Sequence, residues 1–132
     1  MTNKNSAPQS LTVDLDAIIA TLAKTLLANG WRLSTAESCT GGLVSANITA
    51  LAGSSEWFER GYVTYSNQAK SEDIDVSQNL IEEYGAVSDQ VARAMALGAK
   101  QNSGSDIALS ITGIAGPSGG SSEKPVGTVC FA

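Results

Sequence analysis

Apolar residues recur along this 132-residue chain with two different periods. Between residues 11 and 29 they follow one another at three- and four-residue spacing, which is typical of an amphipathic helix, and Gly30 is placed to end it. A second helix is predicted over residues 88–102, with Ser88 as its cap and an apolar side made of Val91, Met95, Leu97 and Ala99. Residues rich in β-formers predict four strands, over residues 31–36, 61–66, 106–112 and 125–132.

Shorter helical segments lie between these strands. Residues 40–51 and 77–84 each predict a helix, the second ended by Gly85, and residues 67–73 predict a helical turn. Strands that alternate with helices predict an α/β domain, built as layers of helices around a sheet. The polar residues 1–10 predict a disordered tail, so the folded domain covers residues 11–132.

The composition restricts the chemistry that this domain can perform. The chain has no His, so it contains no Ser-His-Asp or Cys-His pair and no His metal ligand. A base that acts near neutral pH must therefore be Lys, Tyr, a carboxylate, the N-terminal amine or water. The chain has 8 Lys and Arg against 13 Asp and Glu, a net charge of −5. This acidic balance argues against nucleic-acid binding, which needs clustered basic residues.

The cysteines and the apolar runs bear on where the protein works. Cys39 and Cys130 are far apart and form no C-x-x-C pair, so a disulfide scaffold or a zinc site is not expected. The polar start of the chain has no signal-peptide pattern, and no apolar run approaches the ~20 residues of a membrane span. We therefore expect a cytoplasmic protein without a membrane segment.

Residues 36–42, with the sequence AESCTGG, form the first stretch that can support chemistry. A strand that turns through Gly41 and Gly42 into a helix exposes backbone N–H groups, which can bind a phosphate or stabilise an oxyanion. Ser38 offers a hydroxyl there, and Cys39 is a competing nucleophile. The alternative is an ordinary strand-helix turn in which Thr40 caps the helix.

Two further stretches follow later strands. Tyr65 and Lys70 follow the second strand, and a lysine acts as a base when burial lowers its pKa; the alternative is a solvated lysine. Thr112 ends the third strand and leads into Gly113 and Gly116, where a backbone can approach a ligand closely; the alternative is a flexible connection.

Glu37, Glu56 and Glu59 have no spacing that supports a metal site, and none is predicted. If the strands are parallel neighbours, the three stretches converge on one cleft lined by Ser, Thr, Lys and Gly residues. The residues alone do not say which reaction occurs there.

Four segments together resemble the C-terminal domain family of the competence/damage-inducible protein CinA: AESCTGG (36–42), AGSSEWFERGYVTYSNQAK (52–70), GAVSDQVARAMALGA (85–99) and TGIAGPSGGSSEKPVGTV (112–129). The resemblance implies a three-layer α/β/α sandwich. It also implies hydrolysis of nicotinamide mononucleotide to nicotinate mononucleotide and ammonia, in pyridine-nucleotide salvage. No cofactor or metal is implied, and the assembly would be a homo-oligomer, commonly a dimer.

The resemblance also implies roles for individual residues. Ser38 would be the nucleophile, with Lys70 and Tyr65 as its proton-transfer partners. Ser55 and Thr112 match further active-site positions that would bind substrate. The substrate phosphate would be bound by N–H groups in one of two glycine-containing segments, namely Gly41-Gly42 or the loop that contains Gly113 and Gly116; the sequence leaves this choice open.

One departure from the family leaves other hypotheses open. Members of the family continue beyond the strand that ends here at Ala132, with a further strand, a terminal helix and a basic residue at the active site. The resemblance therefore implies a C-terminally incomplete domain. The main alternative is a non-catalytic nucleotide-binding or interaction module of the same fold, and a weaker one is a chain without a function of its own.

Overall fold

A computed structural model describes residues 13–132 of the chain. The predicted disordered tail over residues 1–10, and the first residues of the first predicted helix, lie outside the described part.

The described residues form five α-helices, four β-strands and one short 3₁₀ helix, which carries residues Ser54–Glu56. In chain order the elements are α1 (Leu15–Asn29), β1 (Leu33–Glu37), α2 (Leu43–Thr49), β2 (Phe58–Val63), α3 (Asn67–Ile74), α4 (Gln78–Tyr84), α5 (Asp89–Ser103), β3 (Ile107–Gly113) and β4 (Val129–Phe131).

The four strands form one sheet in the order β2-β1-β3-β4. Strand β1 lies in the middle and is parallel to both β2 and β3, and β4 pairs antiparallel with β3. At the end of β1, Glu37 pairs with Val63 on one side and Ile111 on the other. The carboxyl ends of three parallel strands therefore meet at one edge of the sheet, which confirms the predicted convergence.

Helices cover both faces of this sheet, so the predicted α/β/α arrangement is confirmed. On one face α1 and α2 bury an apolar cluster that includes Leu26, Leu33 and Trp57. On the other face α3, α4 and α5 bury a second cluster around Ala36 and Met95. Because Leu33 and Ala36 point to opposite faces of β1, the central strand contributes to both clusters.

Most helix ends follow the predicted signals. Gly30 ends α1 with φ 64°, and the Ser88 hydroxyl accepts a hydrogen bond from Val91 N at the start of α5. The predicted apolar side of α5 is wrong in one position, since Leu97 is 56% exposed. Its place two residues after the buried Met95 turns it away from the sheet.

Three predicted boundaries are wrong. Strand β2 begins at Phe58 and ends at Val63, because Ser66 leaves the sheet to cap α3 through a hydrogen bond from Ala69 N. The predicted strand over residues 125–132 contracts to β4, because Gly127 at φ 92° closes a turn before it. The helix predicted over residues 40–51 is shorter, since its first residues form the turn that carries the site.

No helix among residues 13–132 is both long enough and apolar enough to cross a membrane.

Candidate active site

The loop between β1 and α2 presents Ser38 at the edge where the parallel strands end. Ser38 N donates to Ile111 O over 2.9 Å, which continues the β1–β3 ladder one residue beyond the strand. Gly41 and Gly42 then turn the chain with φ values of 57° and 104°, a conformation that favours glycine. The loop therefore leaves Ser38 on a well-supported strand end, with only 7% of the residue exposed.

Glu37 connects this loop to the helix behind it. Its carboxylate accepts hydrogen bonds from Val44 N at 2.9 Å, Ser45 N at 3.0 Å and Ser45 Oγ at 2.7 Å. The N-cap residue of α2 is Gly42, which has no side chain to cap it, so the interpretation of Thr40 as the cap is wrong. Burial opposes ionisation of Glu37, but the hydrogen bonds from Ser45 and Val44 outweigh it and hold its pKa below the usual value.

Lys70 approaches Ser38 from α3. The cap at Ser66 starts this helix, and Lys70 and Ile74, one turn apart, are its two buried residues. Lys70 Nζ lies 3.1 Å from Ser38 Oγ, and it also donates to Thr64 O at 3.0 Å and Tyr65 O at 3.1 Å. The interpretation of Lys70 as a solvated surface lysine is wrong, since only 1% of it is exposed.

The burial of Lys70 disfavours its charged form. Burial lowers the pKa of the Lys70 amine, and the nearby Cys39 opposes this only in part. Within residues 13–132, the only ion pairs are those that Glu59 forms with Arg32 and Arg60, so no described carboxylate pairs with Lys70. A third carbonyl, Ser66 O, lies 3.5 Å from the amine, and the Ser38 hydroxyl also lies 3.4 Å from Tyr65 O as a donor. Burial and the 3.1 Å contact with Ser38 Oγ are the two features that suit Lys70 to a role as base.

Backbone N–H groups remain available in the same loop. Gly41 N donates to Ser38 O and Leu43 N to Thr40 O. In the described part of the chain, the N–H groups of Cys39, Thr40 and Gly42 have no acceptor. Free N–H groups beside a nucleophile are what an oxyanion needs.

These side chains line one cleft, with a volume of about 190 Å³. Thr112 lines it, and its hydroxyl donates to Ala86 O over 2.9 Å, so the turn between α4 and α5 is held against β3. A Cβ at Gly113 would lie 2.9 Å from Cys39 Sγ, so glycine permits the close approach of the loop there. The lining residues are Ser38, Cys39, Tyr65, Asn67, Lys70, Ala86, Val87, Thr112, Gly113 and Ala115.

The structure does not bring all of the predicted site residues together. Tyr65 contacts Lys70 through its carbonyl, and its ring is largely exposed at the cleft. Ser55 is exposed in the 3₁₀ helix before β2, at the opposite end of the sheet from Ser38. Gly116 lies farther along the loop after β3 with φ 75°, outside the cleft lining.

Sequence reasoning missed the role of Glu37 and the wall formed by Ala86 and Val87. The signal for Glu37 was a carboxylate at a strand end, directly before a glycine turn into a helix that lacks a capping side chain. Nothing in the sequence marked Ala86 and Val87, which reach the cleft only through packing. Among residues 13–132 no group of three or more Cys, Asp or Glu side chains is arranged to hold a metal ion.

Comparison with known proteins decides the family. The profile of the CinA C-terminal domain matches residues 15–132, which is nearly all of the described chain. The chain belongs to the CinA C-terminal domain family. The resemblance noted from the four sequence segments is therefore confirmed.

Curated members of this family include enzymes and longer proteins. The chain is 60% identical over 106 residues to nicotinamide-nucleotide amidohydrolase PncC from Enterobacter agglomerans, covering 80% of this chain and 65% of that protein. It is 56% identical to the protein of the same name from Escherichia coli K12, covering 84% of this chain and 67% of that protein. A CinA-like protein from Geotalea uraniireducens is 58% identical, but the chain spans only 27% of its length.

Solved structures of the family share the fold. A competence/damage-inducible protein from Agrobacterium tumefaciens superposes with a TM-score of 0.85 at 44% identity, covering 91% of this chain and 73% of that one. A CinA superfamily protein from Escherichia coli gives a TM-score of 0.87 at 38% identity, covering 100% and 78%. The chain is thus shorter than these relatives.

Proposed function

We propose that this CinA-family domain hydrolyses the carboxamide of nicotinamide mononucleotide, with Ser38 as the nucleophile and Lys70 as its base. The observation that carries the proposal is the 3.1 Å contact between Lys70 Nζ and Ser38 Oγ, at a position where burial lowers the pKa of the amine. The substrate is supported by the relatives named nicotinamide-nucleotide amidohydrolase, at 56–60% identity.

The reaction proceeds in two halves. Ser38 Oγ attacks the carboxamide carbon while Lys70 takes the hydroxyl proton, which forms a tetrahedral intermediate. Lys70 then returns the proton to the leaving nitrogen, and ammonia departs from an ester on Ser38. Water attacks the ester with Lys70 again as the base, which releases nicotinate mononucleotide and restores Ser38.

The negative oxygen of the intermediate needs hydrogen-bond donors that are already in place. The N–H groups of Cys39, Thr40 and Gly42 are free in the described structure and lie in the loop that carries the nucleophile. We assign the oxyanion to this set, because a donor that needs no reorganisation stabilises the transition state most.

We infer from the size of the cleft that the rest of the substrate lies outside it. Its 190 Å³ is below the roughly 300–1,000 Å³ of ordinary ligand pockets, so it suits the carboxamide-bearing ring rather than a whole nucleotide. We place the phosphate on the loop after β3, because the N–H groups of residues 118–120 have no acceptor within the described chain. The Gly41-Gly42 turn is less suitable, since Glu37 already occupies the next two N–H groups.

The positions of the other predicted site residues support their proposed roles to different degrees. Thr112 and Gly113 line the cleft and would contact the substrate ring, and the exposed ring of Tyr65 stands at its mouth as a proton-transfer or stacking partner. Ser55 lies at the far end of the sheet, so its predicted role rests on the family resemblance alone. Gly116 belongs to the loop assigned to the phosphate.

The family resemblance also supports a homodimer and a place in pyridine-nucleotide salvage. Two free cysteines, Cys39 and Cys130, accord with a reducing cytoplasm. Light scattering on the purified protein measures the assembly.

An ammonia-release assay with nicotinamide mononucleotide tests the reaction. Ser38→Ala should lower kcat at least ~10³-fold, because the nucleophile is removed while the fold is kept. Cys39→Ala, which removes the competing nucleophile at the next position, is the matched control. It should retain most of the activity, because Ser38 is still present.

Two results would contradict the proposal. Full activity in Ser38→Ala combined with loss in Cys39→Ala would move the nucleophile to Cys39. Calorimetric binding of the nucleotide by the wild-type chain without any ammonia release would favour the non-catalytic binding module instead.

A further inference from the structure

The buried carboxylate of Glu37 has no role in the proposed reaction, although it directly precedes the nucleophile. Glu37 is fully buried, and its two oxygens accept three hydrogen bonds from Val44 and Ser45. Burying a charged group is unfavourable unless hydrogen bonds replace its lost hydration, so this arrangement needs a reason.

Glu37 is held at its backbone as well as at its side chain. Thr64 N donates to Glu37 O over 2.8 Å, and Glu37 pairs with Ile111 on the other side of β1. Its carboxylate meanwhile binds the first turn of α2. One residue therefore fixes both ends of the short loop that begins with Ser38.

The neighbours of this carboxylate form a closed hydroxyl network. Ser45 Oγ bonds both Glu37 Oε2 and Thr35 Oγ1, each over 2.7 Å. Strand β2 has Gly61 beside them, where a Cβ would lie 2.5 Å from Ser45 Oγ and 2.7 Å from Thr35 Oγ1. The space around the network is thus filled, which leaves α2 little freedom to shift against β1.

We infer that Glu37 is a positioning residue, which anchors α2 to the central strand so that Ser38 stays in contact with Lys70 and the free N–H groups of the loop keep their places. This inference rests on the proposed function for its kinetic consequence, but its structural core can be tested without any substrate.

The same contacts exclude two other roles for Glu37. Both oxygens are engaged by donors and Glu37 is absent from the cleft lining, so it does not take a proton from Ser38 or from water. Because its carboxylate occupies the N–H groups of Val44 and Ser45, it also keeps a substrate anion from binding at the start of α2.

Glu37→Gln tests the inference kinetically. Glutamine keeps the shape but turns an NH₂ group toward one of the two N–H donors, which should displace the loop. A shift of about 1 Å in reacting groups costs on the order of 100-fold in rate, so kcat should fall ~10- to 100-fold while KM changes less than ~3-fold. The pH profile should drop in height without moving, because Glu37 does not titrate in the reaction. Glu83→Gln, on the exposed side of α4, is the control and should be unchanged.

The outcomes are distinguishable. If the wild-type chain releases no ammonia, the proposed function fails. A titration of the Val44 and Ser45 amide resonances, which needs no substrate, then decides the inference. An active wild type with an unchanged kcat in Glu37→Gln would overturn the inference. Loss of one limb of the pH profile would also overturn it, since Glu37 would then act as a proton carrier.

Nuclear magnetic resonance of the amide groups needs no substrate. In the wild type, the amide resonances of Val44 and Ser45 should shift together on acidification, in a single step below the ordinary glutamate range, and Glu37→Gln should abolish that step. Ser45→Ala keeps both amide contacts and should lower kcat less than Glu37→Gln does. If Glu37→Gln does not fold, the wild-type titration decides, and Val44 and Ser45 resonances without such a step overturn the inference.

Discussion

Two buried ionisable groups lie beside Ser38, and their surroundings are opposite. Lys70 is surrounded by carbonyl oxygens and the Ser38 hydroxyl, whereas Glu37 is surrounded by N–H and O–H donors. The pKa of each lies below its usual value. For the lysine this favours the neutral amine, because burial disfavours the cation; for the glutamate it favours the charged carboxylate, because donors stabilise the anion.

A lowered pKa therefore has opposite consequences for the charge of Lys70 and of Glu37. A neutral lysine beside a hydroxyl is a base, and a stabilised carboxylate bound to a helix is a fixed structural charge. The site thus has one group whose charged form is disfavoured and one whose charged form is stabilised, with Ser38, the proposed nucleophile, between them. In the proposed reaction, this division would let a chain without His perform acid-base chemistry.

The largest effect should come from removing the base. Lys70→Met keeps the length and the apolar stem of the side chain but removes the amine, so kcat should fall ~10²- to 10⁴-fold in the ammonia assay. The free energy of unfolding should fall by no more than about 1–3 kcal/mol, because the carbonyls of Thr64 and Tyr65 lose a donor while the buried amine is replaced by an apolar group. Lys100→Met, on the exposed end of α5, is the control. An unchanged kcat in a folded Lys70→Met protein would show that Lys70 is not the base, and the contrast with Glu37 would disappear.

The pH dependence of stability should separate the two groups. Between the lowered folded-state pKa of Lys70 and its ordinary value of 10.5, the unfolded chain binds the extra proton, so stability rises with pH in that window. Glu37 stabilises the fold above its ordinary pKa of 4.5, and this contribution is lost as pH falls through its lowered folded-state value.

Urea unfolding over a range of pH measures both windows. As the pH rises toward the ordinary lysine pKa of 10.5, the wild type should gain stability relative to Lys70→Met, and in acid it should lose stability relative to Glu37→Gln. Parallel curves in the alkaline range would contradict the lowered pKa of Lys70. Parallel curves in acid would do the same for Glu37.

The smallest effect concerns two buried threonines, one on each side of the comparison. Thr64, whose carbonyl contacts Lys70, has a buried hydroxyl without a partner in the described structure, whereas the Thr35 hydroxyl bonds Ser45 beside Glu37. Thr64→Val should stabilise the fold by about 1 kcal/mol, and Thr35→Val should destabilise it by about 1–2 kcal/mol. Urea denaturation measures both changes in the free energy of unfolding. Equal changes in the two variants would show that the surroundings of the two hydroxyls do not differ.

Local signals predicted most of the fold. The helix ends at Gly30, Gly85 and Ser88 were correctly located, since a cap or a glycine acts within one turn. The boundaries of β2 and β4 were wrong because strand ends depend on pairing with distant residues. Leu97 was assigned to the wrong side because an apolar residue alone does not define a helix face.

The candidate site shows the same division. Ser38, Lys70 and Thr112 were singled out by residue type and by their places at strand ends, and the structure brings them to one cleft. Ser55 was singled out by resemblance alone, and the described chain places it at the far end of the sheet. The role of Glu37 was missed because its partners become visible only when α2 is placed against β1.

The sequence by itself determined the alternation of helices and strands, the exclusion of His-based chemistry and the short list of groups that could replace it. These follow from period, composition and spacing, which are local properties. Only the tertiary structure decided that Lys70 is buried against Ser38, 32 positions away, and that Glu37 is held by donors. Desolvation and hydrogen bonding depend on what surrounds a group in space, and they decide for which buried group the neutral form is favoured and for which the charged form is.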